Sequence, residues 1–528
     1  MAAVMITFLF QFLFFVDCYA KYDPTWKSID SRPIPSWYDE SKLGIFVHWG
    51  VFSVPSYSSE WFWENWQHQK LPGIEEFMRE NYKPDFTYQD FAKDFSAEFF
   101  IADQWADIFN SSGARYLVFV SKHHEGYSNY ASRYSFGWNS MDVGPKRDII
   151  GELAESIKER TNMHFGLYHS QYEWFNPLFL KDKATNLTTD DFVKFKTLPE
   201  WYEITNRYLP EILWSDGDWE GTDEYWKAKE FIAWLYNDSP VKDTIVINDR
   251  WGNGIGCKHG GFFTCGDRFN PGHLINHKWE NAMTLDKYSW GYRRNARLSD
   301  YLTMDQLIET FVKTVSCGGN MLLNVGPRHD GIIDPLMQDK LAKLGQYTNR
   351  ITEDQNIVYA ISLSWPRNNS LYLHSPFPSK QTTVVSLLGY QHKLSWAPAV
   401  GQGMIISLPS LAPSELPCQW AWVFQLEGLI QKQRKEPMRM PKFNKYNSST
   451  SHTTINPMVK VTQKNRKERQ MESIMCAFRN SMSVPQGSAA VRRNSSSAPT
   501  VSTPVTIVTM ARKRMTPPTV VLFRRESG

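Results

Sequence analysis

Six times between residues 44 and 327, a short apolar run ends in polar or charged residues and gives way to a stretch of helical character. The runs are GIFVHWG (44–50), YLVFVSKHHEG (116–126), MHFGLYHS (163–170), EILWSDGDWE (211–220), TIVINDRWG (244–252) and NMLLNVGP (320–327). Between them, SAEFFIADQWADIFNSSG (96–113) and RDIIGELAESIKERT (147–161) carry apolar residues at helical spacing. Strands joined by helices lie parallel, because each helix returns the chain to the same end of the sheet. Six or more such units within about 300 residues predict a closed (β/α)8-like barrel of the α/β class rather than an open sheet. In that architecture reactive side chains sit where strands end, on the loops of one face. The ends of these runs hold His48, His123, His124, Glu125, Tyr168, His169, Asp216, Asp218, Asp249, Arg250 and Asn324.

After residue 345 the pattern becomes short and alternating: IVYAIS, SLYLHS, TTVVSLLGY, KLSWAP, GMIISLP and AWVFQLEG, separated by Pro, Asn, Gly and Ser. This predicts a β-sandwich over residues 346–428 behind a catalytic barrel over 21–345. Residues 1–20 read as a signal peptide, with an apolar stretch Val4–Val16 too short to span a bilayer and small residues at Cys18 and Ala20. No other run of 18 apolar residues follows, so no transmembrane segment is expected in the mature chain. The sequons at Asn110, Asn186, Asn237 and Asn368 fit export and are candidate glycosylation sites. Residues 429–528 hold 19 Lys and Arg against 4 Glu, with no Asp and no Trp, and read as a disordered basic tail. The scatter of its basic residues fits a gene-prediction artefact better than a functional extension. The chain's net charge of +3 therefore hides an acidic body, which argues against nucleic acid as the main partner. The Cys257–Cys265 spacing suits a closed loop, and Cys317, after an apolar stretch, reads as a buried free thiol.

The richest cluster is WSDGDWEG (214–221), where a strand ends in Asp216 and Gly217 allows a sharp turn. Glycoside hydrolysis needs two carboxyl groups, one to attack or activate water and one to protonate the leaving oxygen. The chain holds 21 tryptophans, 17 of them before residue 300, and flat indoles suit the apolar faces of sugars. HHEG (123–126) offers two adjacent imidazoles that can bind sugar hydroxyls. The same inventory admits a zinc site built from His48, His123, His124 and His169 with Asp216, and spacing alone leaves both readings open.

From about residue 22 to 428 the chain resembles the alpha-L-fucosidase family of glycoside hydrolases. The resemblance rests on WYDESKLGIFVHWGVFSVPSYSSEWFW, KHHEGYSNYASRYSFGWNSMDVGPKRDIIGEL, LWSDGDWEG, YNDSPVKDTIVINDRWG, HKWE and YSWGYRRN. It implies a barrel followed by a β-sandwich. It also implies hydrolysis of terminal alpha-linked L-fucose from glycoproteins, glycolipids or oligosaccharides, with retention at the anomeric carbon. No metal and no cofactor is implied. Fucosylated glycans are the expected partners, a lysosomal or secreted destination is expected, and a homo-oligomer is expected because the family often forms dimers or tetramers.

Position by position, the resemblance puts the nucleophile on Asp216. It puts fucose-binding groups on His48, Glu60, His123, His124, Tyr168 or His169, Trp214 and Arg250, the last also placed to hold the nucleophile ionised. The acid/base falls on Asp267 of FFTCGDRF, with Glu280 of HKWE as the alternative. Gly266 offers no carboxylate, and the family signature around Glu280 appears as PGHLINHKWENA, with Ala282 where the pattern has cysteine.

Overall fold

The structure is a computed structural model that describes residues 21–348, most of 357–429, and the short stretches 505–509 and 521–522. The signal peptide expected over residues 1–20, with Cys18, and also Cys418 and Cys476 lie outside the described residues.

Seven parallel strands build the first sheet: β1 (Leu43–Val47), β2 (Tyr116–Lys122), β3 (His164–Ser170), β4 (Ile212–Asp216), β5 (Val246–Ile247), β6 (Glu280–Thr284) and β7 (Asn320–Val325). Their order is β5-β4-β3-β2-β1-β7-β6. The strands are buried along almost their whole length, as expected when one face packs inward and the other lies under helices.

Period-two alternation decides which side chain goes where. Phe46, Val118, Val120, Tyr168, Ile212, Trp214, Val246, Phe262, Ala282 and Leu322 form one cluster inside the ring. Ile45, Val47, Leu117, Phe119, Leu167, Leu213, Ile247, Leu323 and Val325 join the larger core outside it. That outer core includes Trp105 and Phe109 of the helix Ala102–Ser111, and Leu153 and Ile157 of the helix Ile149–Arg160. The first of these helices is shorter than its apolar spacing suggested. Residues 97–99 instead pair with the 329–330 segment through Ala97 N to His329 O (3.0 Å) and Phe99 N to Asp330 O (2.7 Å).

No named strand joins β5 to β6. The ring closes through two residues, Phe262 and Phe263. Phe262 N donates to Ile247 O on the β5 side (3.0 Å), Phe263 N donates to Lys278 O (2.9 Å), and Glu280 N donates to Phe263 O (2.8 Å). The neighbouring Gly261 is required by this approach: a Cβ there would lie 2.7 Å from Ile247 O. The barrel expected from the alternation is thus present, its eighth place filled by a two-residue bridge.

The second domain stacks two antiparallel sheets. One runs β11 (Lys393–Leu394), β10 (Val384–Leu387), β14 (Trp422–Glu427), β8 (Val358–Ser362); the other runs β12 (Trp396–Pro398), β13 (Met404–Ser407), β9 (Ser370–Leu373). Leu371, Leu373, Val385, Leu387, Met404, Ile406, Phe424 and Leu426 share a core between them. Tyr359, Ile361 and Val423 face the other way and merge with the core around the barrel helices. Within the tail, Val505–Thr509 (β15) runs antiparallel to β8 and pairs with Val521–Leu522 (β16). All five residues of VTIVT are β-branched, which suits a strand. The rest of the tail lies outside the described residues. Among the described residues, no helix is long and apolar enough to cross a membrane.

Candidate active site

A cavity of about 480 Å³ opens at the C-terminal ends of the barrel strands. Its wall includes His48, Glu60, His123, His124, Tyr168, Trp214, Asp216, Arg250 and Asp267, and also Phe46, Trp61, Asp218, Trp219, Asp249 and Trp290. Nine of the eleven catalytic and substrate-binding candidates read from the sequence therefore converge here. His169 and Glu280 do not.

Asp216 ends β4 on the inward parity of Trp214 and Ile212. Gly217, at φ 92°, turns the chain sharply behind it. Both carboxylate oxygens of Asp216 are engaged: Tyr168 Oη donates to Oδ2 (2.7 Å) and Arg250 Nη1 donates to Oδ1 (2.9 Å). His124 Nε2 lies 3.6 Å from Oδ2. Burial, then the charge of Asp216, holds the Tyr168 hydroxyl well above its ordinary pKa, so it stays a donor.

Arg250 is the hub of the site. Its Nη2 donates to Asp267 Oδ1 (2.7 Å), its Nε donates to Thr264 Oγ1 (3.0 Å), and its guanidinium lies 4.6 Å from the centre of the Trp214 ring. Burial works against its charge, but Asp216 and Asp267 outweigh burial and raise its pKa. One guanidinium thus joins the two carboxylates, each on its own terminal nitrogen. Asp267 lies at the rim, its side chain 42% exposed, where it can exchange a proton with solvent.

The loop that carries Asp267 is tied down from below. Asp249 Oδ2 accepts from Cys257 N (2.8 Å) and Cys265 N (3.0 Å), and Oδ1 accepts from Thr264 N (2.8 Å) and Thr264 Oγ1 (2.6 Å). Cys257 and Cys265 form a disulfide, closing the loop their spacing suggested. These two sulfurs and Asp249 make up the one His/Cys/Asp/Glu cluster with ligand spacing among the described residues, and the disulfide has consumed the thiols. Cys317 is a buried free thiol.

His169 falls on the opposite parity from Tyr168 and points out of the barrel. It meets Ser121 Oγ (2.7 Å) and Glu200 (3.3 Å), in a buried ionic cluster with Lys122, Glu173 and Lys196. Burial, with Lys122 nearby, pushes its pKa down to about 4. Of the pair left open by the sequence, Tyr168 lines the cavity and His169 does not. The four-histidine zinc constellation loses a member by the same parity.

Glu280 begins β6, whereas Thr284 ends it, so the two are separated by about 13 Å at 3.3 Å per residue. Glu280 is fully buried beneath the cavity floor. Its carboxylate accepts from Tyr38 Oη (2.8 Å), Tyr116 Oη (2.7 Å) and Trp214 Nε1 (2.9 Å). Burial raises its pKa against those three donors. Its effect on the site runs through Trp214, whose indole it anchors under Arg250.

Glu60 comes from the long loop after β1. Its Oε2 accepts from Ser289 Oγ (2.9 Å), Trp290 N (2.9 Å) and Gly291 N (3.2 Å), which brings Trp290 to the wall. Of the sequons, Asn110, Asn186 and Asn368 are exposed, while the Asn237 amide bonds both the N–H and the C=O of Tyr22 (2.8 Å each). A glycan on Asn237 would share its Nδ2 with the bond to Tyr22 O.

The sequence places Asp218 at a strand end without giving it a role, and Trp61, Trp219 and Trp290 join the wall unannounced. Asp218 follows Asp216 by two, a spacing that could have flagged it. Burial first, and then Asp216, pushes the Asp218 pKa up to about 7. An unfolded aspartate releases its proton near pH 3.9. Between roughly pH 4 and 7 the folded state alone keeps the proton, so stability falls as pH rises through that window and the full cost is present above it. Asp218→Asn should raise the melting free energy at pH 8 by on the order of 2–4 kcal/mol and leave it nearly unchanged at pH 4. Equal shifts at both pH values, read by thermal denaturation, would contradict this.

The family model described as alpha-L-fucosidase matches residues 16–353, and the alpha-L-fucosidase C-terminal domain model matches residues 338–427. The alpha-L-fucosidase of Branchiostoma floridae is 50% identical over 434 residues, covering 78% of this chain and 96% of that one. The plasma alpha-L-fucosidase of Homo sapiens is 49% identical over 435 residues, covering 78% and 93%. Among solved structures, the alpha-fucosidase of Thermotoga maritima superposes with a TM-score of 0.65 at 28% identity, over 77% of this chain and all of that one.

Proposed function

The chain belongs to the alpha-L-fucosidase family, and from that premise we propose that it removes terminal fucose by double displacement, with Asp216 as nucleophile and Asp267 as acid/base. It is a glycoside hydrolase, and its substrates are fucosylated glycans. The observation that carries the residue assignment is the single Arg250 guanidinium that holds both carboxylates at one cavity.

Asp216 attacks the anomeric carbon while Asp267 gives its proton to the departing glycosidic oxygen. The carbon–oxygen bond breaks, and a covalent fucosyl-enzyme forms. Asp267, now a carboxylate, takes a proton from water. The water oxygen then attacks the anomeric carbon, and Asp216 leaves with retention of configuration. Glu60 and the three cavity histidines supply partners for the sugar hydroxyls, and the tryptophan wall suits its apolar methyl and C–H faces. A fucoside enclosed on one side and exposed at Asp267 on the other leaves the leaving group toward solvent, which suits substrates carrying large aglycones.

We further read the signal peptide and exposed sequons as those of an exported enzyme, lysosomal or secreted, acting as a homo-oligomer and without nucleic acid. Purified full-length protein should release L-fucose from 4-nitrophenyl alpha-L-fucoside, and exhaustive chelation should leave the rate unchanged. No turnover would reject the activity. Loss on chelation with recovery in zinc would reject a reaction carried by two carboxylates alone.

A further inference from the structure

Two of the three cavity histidines do more than line a wall. His48 Nδ1 lies 2.7 Å from Asn324 Oδ1. The amide's orientation is set elsewhere: Asn324 Nδ2 donates to Trp290 O (2.7 Å) and to Thr284 Oγ1 (3.2 Å). With its nitrogen committed to those acceptors, Asn324 offers His48 only a carbonyl oxygen, which requires a proton on Nδ1. A neutral imidazole carries one proton, so its Nε2 is a bare lone pair.

His124 repeats the arrangement with a different partner. Its Nδ1 lies 2.7 Å from Ser170 Oγ, and Ser170 spends its single hydroxyl proton on Tyr172 O (2.8 Å). Ser170 must therefore accept from His124 Nδ1, again leaving Nε2 bare. That Nε2 is the atom 3.6 Å from Asp216 Oδ2, so two acceptors face each other across a gap that a hydroxyl donor can fill. His123 Nδ1 lies 3.4 Å from Glu125 Oε2 without a hydrogen bond to it, so this ring has no such anchor. Burial first, with neighbouring histidines adding to it, keeps His48 and His124 well below the ordinary imidazole pKa and therefore neutral.

We propose that Asn324 and Ser170 are positioning residues that fix His48 and His124 as Nδ1–H tautomers, so that each presents an Nε2 lone pair to a substrate hydroxyl. The cavity thereby accepts hydrogen bonds from hydroxyl donors, and a deoxy or O-methylated sugar leaves a buried acceptor unfilled. The role toward substrate rests on the fucosidase reading; the tautomers do not, and they are read without substrate.

Neutron diffraction from crystals of the perdeuterated, substrate-free full chain should find deuterium on Nδ1 and none on Nε2 of both rings. Deuterium on Nε2 of either overturns the proposal for that ring. Ser170→Ala removes the acceptor, so the proton should move to Nε2 and point at Asp216. The kcat/KM for an aryl alpha-L-fucoside should then fall about tenfold or more. Ser170→Thr, which keeps the hydroxyl, should restore the tautomer and most of the rate. A Ser170→Ala enzyme with wild-type kcat/KM and deuterium still on Nδ1 would overturn the positioning role.

Discussion

Asp216→Gly is expected to lower kcat on an aryl alpha-L-fucoside by on the order of 10⁴-fold, with partial recovery in azide. The carboxylate is the group proposed to form the covalent bond, and glycine leaves space where a small anion can attack instead. Recovery through azide would yield the fucosyl azide of opposite anomeric configuration, because one displacement has replaced two. Tyr168 Oη and Arg250 Nη1 lose their shared acceptor in this variant, so some loss of stability should accompany the kinetic effect. Label from a fluorinated fucosyl inhibitor should fall on the peptide carrying Asp216. A variant within tenfold of wild type, or label on another peptide, would remove Asp216 from the role.

The second large effect depends on the leaving group. Asp267→Ala should slow hydrolysis of a fucosylated oligosaccharide by on the order of 10²–10⁴-fold, while a nitrophenyl fucoside still forms the fucosyl-enzyme at near wild-type rate. A nitrophenolate departs without a proton; a sugar alkoxide does not. The deglycosylation step should slow in both cases, so with the nitrophenyl fucoside the covalent intermediate should accumulate as a burst. Glu280→Ala should behave differently. It leaves the Tyr38, Tyr116 and Trp214 donors unpaired in a sealed space, lowering the melting temperature and activity on every substrate alike. If the leaving-group dependence instead follows Glu280, the two residues exchange roles.

The alternation of apolar runs and helical segments was enough to read the barrel, because each strand apart from β5 and β6 is long and apolar. β5 is cut to two residues by the polar NDR that follows it, and β6 (ENAMT) is too polar to stand out as a strand. That concealed strand is also why Glu280 looked eligible: without β6, nothing shows that HKWE enters a strand rather than leaves one. The Tyr168/His169 choice was already contained in the two-residue period of β3, since only one of two neighbours can face inward. Asn324 stood at a visible strand end, but its hydrogen bond to His48 joins β7 to the end of β1 across 276 residues, a pairing no local pattern encodes. Asp218 owes its raised pKa to burial and to Asp216, both consequences of packing.

The two-residue bridge at Phe262–Phe263 makes the barrel wall uneven in strength. Like the two-residue β4–β5 pairing beside it, this seam is short, hanging on three backbone bonds, and the loop to Asp267 follows it. Proteins open locally where the lacing is sparse, at a free-energy cost well below that of global unfolding. An excursion there would move the proposed proton donor, whose loop is tied to Asp249 on the β5 side, relative to Asp216 in β4. On warming, such an enzyme would stall while most of its structure is still intact, and it would recover on cooling as the seam reseals.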